Sequence, residues 1–297
     1  MIQICTMTTS FHNRREGGFI SYPESIRRCK AAGFDVVDMN MCSMINPLKN
    51  ELCGDDWERH VDEVIQTRDE CGVTFYQTHP VFRPGAVVAY PNAEDEAFYW
   101  KMMHRCLEIT ARIGAKWAVL HPSNVPETLD WAPQLEKNHR DFDECVDLAA
   151  KLGIGVAFEN MVEPPKGGEK PHRFSSYPEE LLALHDSYNC DYVKLCWDFG
   201  HGNTAVPERH PEAIRMLGDK LVCVHVDDNF GKKDDHYLPF RGNIRWEEVM
   251  PVLKEINFPG VLDLELNFAG QMPDPLKDDA IRLTAAVARQ LAEMAER

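Results

Sequence analysis

The chain has 297 residues, of which 44% are hydrophobic and 27% are charged, and it carries a formal net charge of −16. This composition is typical of a globular protein, and no run of residues approaches the ~20 apolar positions that a membrane-spanning helix needs. Because proteins that bind a nucleic-acid backbone usually present a basic surface, the acidity argues against nucleic-acid partners.

In chain order, eight short β-rich segments alternate with eight amphipathic segments of helix length. The predicted strands cover residues 2–8, 34–39, 73–78, 116–121, 154–159, 193–198, 221–226 and 261–266. The predicted helices cover residues 23–31, 56–70, 95–113, 134–151, 178–188, 209–217, 246–256 and 276–295, where apolar residues recur every three or four positions. Glycine ends four of these helices, at 33, 72, 114 and 153. Repeated βα units predict a parallel sheet.

Two architectures contain eight βα units, namely a closed barrel and a doubly wound sheet. The segment after the first strand, residues 8–18, lacks the Gly-x-Gly-x-x-Gly spacing of a dinucleotide-binding turn. Long polar loops at 80–94, 122–132, 160–177 and 227–245 are typical of the functional face of a barrel. The sequence therefore predicts an α/β protein that forms a single (β/α)8 TIM barrel over residues 1–297.

The N-terminal residues and the cysteines bear on cellular location. The first residues enter a predicted strand directly, without the basic and apolar regions of a signal peptide. The ten cysteines are dispersed from Cys5 to Cys223 and form no Cys-x-x-Cys pair, so we expect buried thiols in place of disulfides. These features predict a cytoplasmic protein.

The ends of the third to eighth predicted strands carry six residues that bind metals in other proteins. They are His79, His121, Glu159, Asp198, His225 and Glu265. Parallel strands of a barrel end at one shared mouth, so these side chains should converge there. Carboxylates packed together repel one another, and a divalent cation is the simplest way to keep all three ionised. Three carboxylates and an imidazole suit Mn²⁺ first, then Mg²⁺ or Co²⁺, and do not exclude Zn²⁺ or Fe²⁺.

The sequences around these residues form a recognisable set of motifs. They read FEN at 158–160, WDFGHGN at 197–203, VHVDD at 224–228, DDHYLPFRGNI at 234–244 and LEL at 264–266. Together they resemble the sugar phosphate isomerase/epimerase family, the xylose isomerase-like TIM barrels that also include endonuclease IV. The resemblance implies a metal site formed by Glu159, Asp198, His225 and Glu265.

In the isomerase and epimerase branch of that family, the metal binds the carbonyl and hydroxyl oxygens of a sugar. The resemblance implies that Glu159 and Glu265 transfer a proton at the adjacent carbon, through a metal-stabilised enediolate. It also implies that His201 and Arg241 contact substrate oxygens. His79, His121, Asp234 and His236 would line the sugar pocket.

Three alternatives remain open. In the endonuclease branch nine ligands bind three zinc ions, and His79, His121, His201, Asp234 and His236 match the additional ligands, although the acidity opposes binding to DNA. A metal-dependent lyase or dehydratase, such as a subunit that cleaves oxidised C-glycosides with a partner chain, would use the same proton abstraction. The third alternative is a non-catalytic barrel that serves as a binding or assembly subunit, which the intact set of carboxylates and histidine opposes. The resemblance also implies a homo-oligomer or a heteromeric partner subunit. Loop aromatic residues that could stack on a ligand are Phe82, Tyr90, Trp131, Phe230, Tyr237 and Phe240.

Overall fold

The computed structural model describes residues 1–11, 20–46, 50–82, 92–165, 167–168 and 171–297. Its strands are β1 Ile4–Met7, β2 Val36–Asn40, β3 Gln77–His79, β4 Trp117–Leu120, β5 Gly155–Glu159, β6 Val193–Asp198, β7 Leu221–Val226 and β8 Leu262–Leu264. They close into a barrel in sequence order, and every neighbouring pair is parallel, including β8 with β1. The predicted (β/α)8 barrel is confirmed.

The helices surround the barrel. They are α1 Tyr22–Ala32, α2 Trp57–Cys71, α3 Ala93–Arg112, α4 Trp131–Leu152, α5 Pro178–Tyr188, α6 Phe199–Ala205, α7 His210–Leu217, α8 Trp246–Glu255 and α9 Asp274–Met294. Helix α1 illustrates the local signals, because Ser21 Oγ accepts from Glu24 N at its start and Gly33 takes a φ of +101° at its end. Within the described residues, no helix combines the length and the apolar character required to cross a bilayer.

Helix α6 was not predicted, and it begins directly after the strand-end residue Asp198. Gly200 and Gly202 disfavour a helix in isolation, which explains the omission. Both glycines are required by their surroundings, since a Cβ atom would lie 2.1 Å from Asp227 Oδ1 at Gly200 and 2.5 Å from Trp197 Cζ2 at Gly202. The helix is therefore determined by close packing and not by intrinsic propensity.

Several predicted strand boundaries differ from the structure by one to four residues, at β1, β2, β3, β4, β5 and β8. The predicted third strand, residues 73–78, is shorter and later in the structure, because Tyr76 O accepts from both Lys116 N and Trp117 N and interrupts the ladder. Strands β4 and β8 end one residue before His121 and Glu265. These two side chains therefore lie on the first residue beyond each strand, still at the same rim of the barrel.

Alternate strand residues face two separate cores. One set packs under the helices and includes Met39, Phe158 and Trp197. The other set faces the barrel axis, where Val119, Ala157 and Cys196 form a small apolar cluster. The expectation of buried thiols holds for six of the ten free cysteines, but Cys190 is exposed and Cys42, Cys53 and Cys71 are half-buried.

Candidate metal centre

Four side chains meet where strands β5 to β8 reach the open end of the barrel. Glu159 and Asp198 are the last residues of β5 and β6, His225 is the penultimate residue of β7, and Glu265 follows β8. One ligand atom from each residue lies within 4.8 Å of the others. The four predicted metal ligands are therefore brought together, because the carboxyl ends of parallel strands share one rim.

His225 stands between two carboxylates of this group. Its Nδ1 atom lies 2.9 Å from Glu159 Oε1 and 3.0 Å from Glu265 Oε2. Asp198 Oδ1 accepts a hydrogen bond from His201 N, whereas its buried Oδ2 atom has no hydrogen-bond partner in the described part of the chain. A buried carboxylate oxygen without a donor is costly unless a proton or a cation binds it. The donor set therefore fits a divalent cation.

Glu159 also belongs to a second cluster, which it forms with two histidines. Its Oε2 atom lies 3.0 Å from His121 Nε2 and 3.6 Å from His79 Nε2. The two Nε2 atoms approach each other to 3.1 Å. The ligand atoms of these three residues also lie within 4.8 Å of one another. Each oxygen of the Glu159 carboxylate thus faces a different potential cation site.

A third cluster lies beside the loop after β7 and consists of Asp227, Asp234 and His236. His236 Nε2 and His201 Nε2 lie 3.2 Å and 3.4 Å from the same oxygen, Asp234 Oδ2. His201 Nδ1 is fixed by a 2.8 Å contact to Asn160 O. Asp227 was not predicted. The structure places the predicted pocket residues at one mouth, namely His79, His121, His201, Asp234 and His236.

The charges in the mouth shift several pKa values in opposite directions. Burial alone would raise the pKa of Glu159, but His225 and His121 hold it well below its usual range. Burial would also raise the pKa of Glu265, but His225 stabilises the carboxylate and keeps that pKa below its usual range. Burial raises the pKa of Asp198 to about 6, and Glu159 adds to the rise while His201 opposes it. Both glutamates are therefore ionised at neutral pH, as metal binding requires.

The contact of Arg241 with substrate oxygens stays a prediction. The residue is exposed, and its guanidinium stacks over the Tyr237 ring at 4.9 Å, with no contact to the four ligands among the described residues. The aromatic residues predicted to stack on a ligand do not lie together. Phe82 packs against the His121 ring with centroids 4.4 Å apart, whereas Trp131, Phe230 and Phe240 are exposed. Tyr90 and most of the 80–94 loop lie outside the described residues.

Two further carboxylates lie inside the barrel next to His225. Asp38 on β2 and Asp263 on β8 have ligand atoms within 4.8 Å of the His225 ring, and each is 1% exposed. Gln77 Nε2 donates to Asp263 Oδ2 at 3.1 Å, whereas neither oxygen of Asp38 has a partner in the described chain. Burial raises the pKa of Asp263 to about 6 and that of Asp38 well above its usual range. Their signal in the sequence is a carboxylate within an apolar strand.

The loop that carries Asp234 and His236 is closed at its base by Asp228. The buried carboxylate of Asp228 accepts hydrogen bonds from Phe240 N, Ile244 N and Trp246 Nε1 at 3.0, 3.2 and 3.1 Å. Its backbone exchanges two further bonds with Tyr237. The two ends of the loop are therefore joined through one side chain.

Comparison with known proteins was made by sequence and by structure. A family model described as xylose isomerase-like TIM barrel matches residues 26–296. An uncharacterized protein of Methanocaldococcus jannaschii is 31% identical over 164 residues, which are 54% of this chain and 53% of that protein. D-Psicose 3-epimerase of Enterocloster bolteae is 27% identical over 103 residues, 33% of this chain and 32% of the enzyme. The chain spans about half the length of the first curated relatives it matches.

The similarity to solved structures extends over nearly the whole chain. A D-tagatose 3-epimerase-like protein superposes with a TM-score of 0.74 at 20% identity, covering 99% of this chain and 98% of that one. An IOLI protein with a bound zinc atom superposes with a TM-score of 0.71 at 16% identity, covering 99% and 98%. At these identities the similarity is one of fold.

Proposed function

The chain belongs to the xylose isomerase-like TIM barrel family, and on that premise we propose that it is a divalent-metal-dependent sugar isomerase or epimerase. The observation that carries the proposal is the group of three carboxylates and one imidazole, with ligand atoms within 4.8 Å, at the barrel mouth. The similarity to D-psicose 3-epimerase and to a D-tagatose 3-epimerase-like protein supports a carbohydrate substrate. The zinc atom in the IOLI protein supports a metal.

The residues that would hold the cation are Glu159, Asp198, His225 and Glu265. A divalent cation in such a site supplies positive charge that stabilises a substrate oxygen as it becomes negative, so the neighbouring C–H bond becomes acidic. We propose Mn²⁺, with Mg²⁺, Co²⁺ and Zn²⁺ as alternatives, because a set of carboxylates with one imidazole suits these ions.

The proton transfer is assigned to the two glutamates. Glu265 is the partly exposed member of the group, so its carboxylate is accessible to a ligand in the mouth. Glu159 is buried beside it, on the other side of the His225 ring nitrogen. One carboxylate removes a proton from the carbon next to the carbonyl, and the other returns one. His201, whose pKa is raised to about 10 by Asp198 and Asp234 against the effect of burial, would donate to substrate oxygens.

The proposal is tested by proton exchange at carbon. Purified protein with Mn²⁺ is incubated in deuterium oxide with free ketoses, keto-inositols, sugar phosphates and oxidised glycosides. Deuterium should enter at the carbon next to the carbonyl, the exchange should stop with a chelator, and it should return with added metal. Analysis of the products separates an isomer or epimer from the unsaturated or cleaved product of a lyase. Absence of exchange with every member of the panel would count against the proposal.

A second candidate is a multinuclear metal phosphodiesterase. It is favoured by the second and third ligand clusters, which also lie at the mouth. The second cluster shares Glu159 with the first. The net charge of −16 opposes it, since a nucleic-acid substrate would be repelled. Metal analysis and hydrolysis of bis(p-nitrophenyl) phosphate decide this point. Three bound ions with phosphodiester cleavage would replace the first proposal with the second.

A further inference from the structure

Arg173 lies in a turn that is fixed to the mouth of the barrel. Its carbonyl oxygen accepts hydrogen bonds from Ser176 N at 3.1 Å and Ser176 Oγ at 2.7 Å. The next residue, Phe174, is buried and donates from its backbone to Asn124 Oδ1 at 2.9 Å. Ser175 follows with a φ of +73°. These bonds hold the backbone of Arg173, which is part of the loop that leaves β5, against the loop that leaves β4.

The turn is also hydrogen-bonded to β5, and the residue before Arg173 is held by two glutamates. Ser175 Oγ donates to the carbonyl oxygen of Glu159 at 3.4 Å, and Met161 N donates to Ser175 O at 3.3 Å. On the other side, the imidazole of His172 lies between Glu163 and Glu180, with 2.8 Å contacts to each carboxylate. The backbone of Arg173 is therefore fixed before any ligand arrives, which lowers the entropy cost of ordering the turn on binding.

The guanidinium of Arg173 is unpaired with respect to the part of the chain that the structure describes. Within the described residues it makes no hydrogen bond and no ion pair, although the side chain is only partly exposed. Its charge nevertheless interacts with the mouth. Burial lowers the pKa of Arg173, and the carboxylates of Glu159 and Asp234 oppose that effect by stabilising the charged guanidinium. The guanidinium also contributes to the low pKa of His121, for which burial is the main cause. The charge of the guanidinium thus interacts with the charges of three residues of the mouth.

A partly buried arginine without a hydrogen-bonded counter-ion is only partly compensated for its lost hydration. The guanidinium presents a planar fork of N–H donors that matches a carboxylate or a phosphate. We propose that Arg173 binds an oxyanion group of the substrate, a phosphate or a carboxylate, so that the substrate class is an acidic sugar derivative. This inference rests on the proposed function.

The inference is tested with three variants of the Mn²⁺-loaded protein. Arg173→Gln removes the charge, Arg173→Lys keeps it without the planar fork, and Arg282→Gln removes an exposed arginine on α9 as the control. The substrates are a free ketohexose, its 6-phosphate and its 6-carboxylate, compared by the rate of deuterium exchange. Arg173→Gln should lower kcat/KM by about 10- to 100-fold for the acidic sugar whose oxyanion Arg173 binds, which is the range for a charged hydrogen bond. It should lose less than about 3-fold on the free sugar, and the phosphate and carboxylate arms identify which oxyanion is bound.

Binding of inorganic sulfate and phosphate to the same variants gives a readout without turnover. Arg173→Gln should weaken sulfate and phosphate binding by about 10-fold or more, Arg173→Lys should weaken it less, and Arg282→Gln should bind as the parent does. Unfolding curves of each variant show whether the fold is retained. Equal binding by Arg173→Gln and Arg282→Gln would overturn the inference.

The two proposals fail in different ways. If exchange occurs but Arg173→Gln loses no preference for the acidic sugars, the oxyanion site is wrong and the isomerase proposal stands. If no sugar exchanges but anion binding still depends on Arg173, the isomerase proposal is wrong and the oxyanion site stands.

Discussion

The carboxylate of Glu159 directs Oε2 to His121 Nε2 at 3.0 Å, while its other oxygen contacts a different histidine. Each oxygen of this carboxylate therefore contacts an imidazole. This makes Glu159 the residue on which the first and second clusters both depend, and the first prediction concerns it.

Replacing Glu159 by Gln should reduce turnover by about 100-fold or more, because an amide can neither accept the substrate proton nor ligate a cation as an anion. The same loss is expected for Glu265→Gln. Both variants should fold, since the positions lie at the rim and outside the helix-facing core. The measurement is exchange activity with metal content per chain, and Glu255→Gln on the outer surface is the control. Full activity in either rim variant would exclude the proton-transfer role.

The second prediction separates a sugar pocket from a multinuclear site, and it uses His236. This residue has a φ of +48°, so Asn is a better replacement than Ala because Asn tolerates left-handed backbone. His236→Asn should leave the number of tightly bound metal ions unchanged and raise KM by about 10-fold. Lys233→Ala on the same loop is the control. Loss of one metal equivalent in His236→Asn would instead favour the phosphodiesterase.

The third prediction concerns acid stability and His210, which accepts a hydrogen bond from Trp197 Nε1 at 2.9 Å. Burial lowers the pKa of His210 from 6.5 to about 3. Below pH 6.5 the unfolded chain binds a proton that the folded chain excludes, so stability is complete above that pH and is lost as pH falls toward 3. At pH 5 this one group should cost about 2 kcal/mol of unfolding free energy.

Urea unfolding at pH 7.5 and pH 5 measures that loss. His210→Gln keeps an acceptor for Trp197 but cannot be protonated in this range, so it should show about 2 kcal/mol less dependence on pH than the parent. The same pH dependence in both proteins would mean that other groups carry it.

The fourth prediction concerns Asp228, which holds the base of the loop after β7. Asp228→Ala leaves Trp246 Nε1 and Ile244 N without an acceptor in a buried place, and it should cost about 3 kcal/mol of unfolding free energy. Asp219→Ala, at an exposed position, should change stability by no more than about 0.5 kcal/mol. Denaturant unfolding compares the two, and similar values would contradict the role given to Asp228.

The sequence predicted the barrel and the principal site because both depend on local signals. A strand of a parallel barrel is apolar over most of its length, so polar residues at strand ends such as His225 and Glu265 are visible as exceptions in chain order. Helix α6 was missed because its glycines are explained by contacts with Asp227 and Trp197, which come from other parts of the fold.

Arg241 and Arg173 show that the sequence does not predict where a side chain in a loop lies. Arg241 belongs to a recognisable motif, yet the loop turns its side chain onto Tyr237. Arg173 belongs to no motif, and bonds to Asn124 and Glu159 bring its turn to the mouth. These bonds span 50 and 16 positions in the chain and form only after folding, so sequence spacing carries no signal for them. Asp38 was missed for a related reason, because its neighbour Asp263 lies on the strand that closes the barrel.

The closure of the β7 loop at Asp228 has a consequence for how this barrel can diversify. The segment between Asp228 and Phe240 is tied at both ends, and Lys232 and Lys233 near its tip are exposed. Residues can therefore be inserted or removed at the tip without displacing Trp246 or the helix that it begins. The length and sequence of this loop can therefore vary while the frame of the barrel stays unchanged.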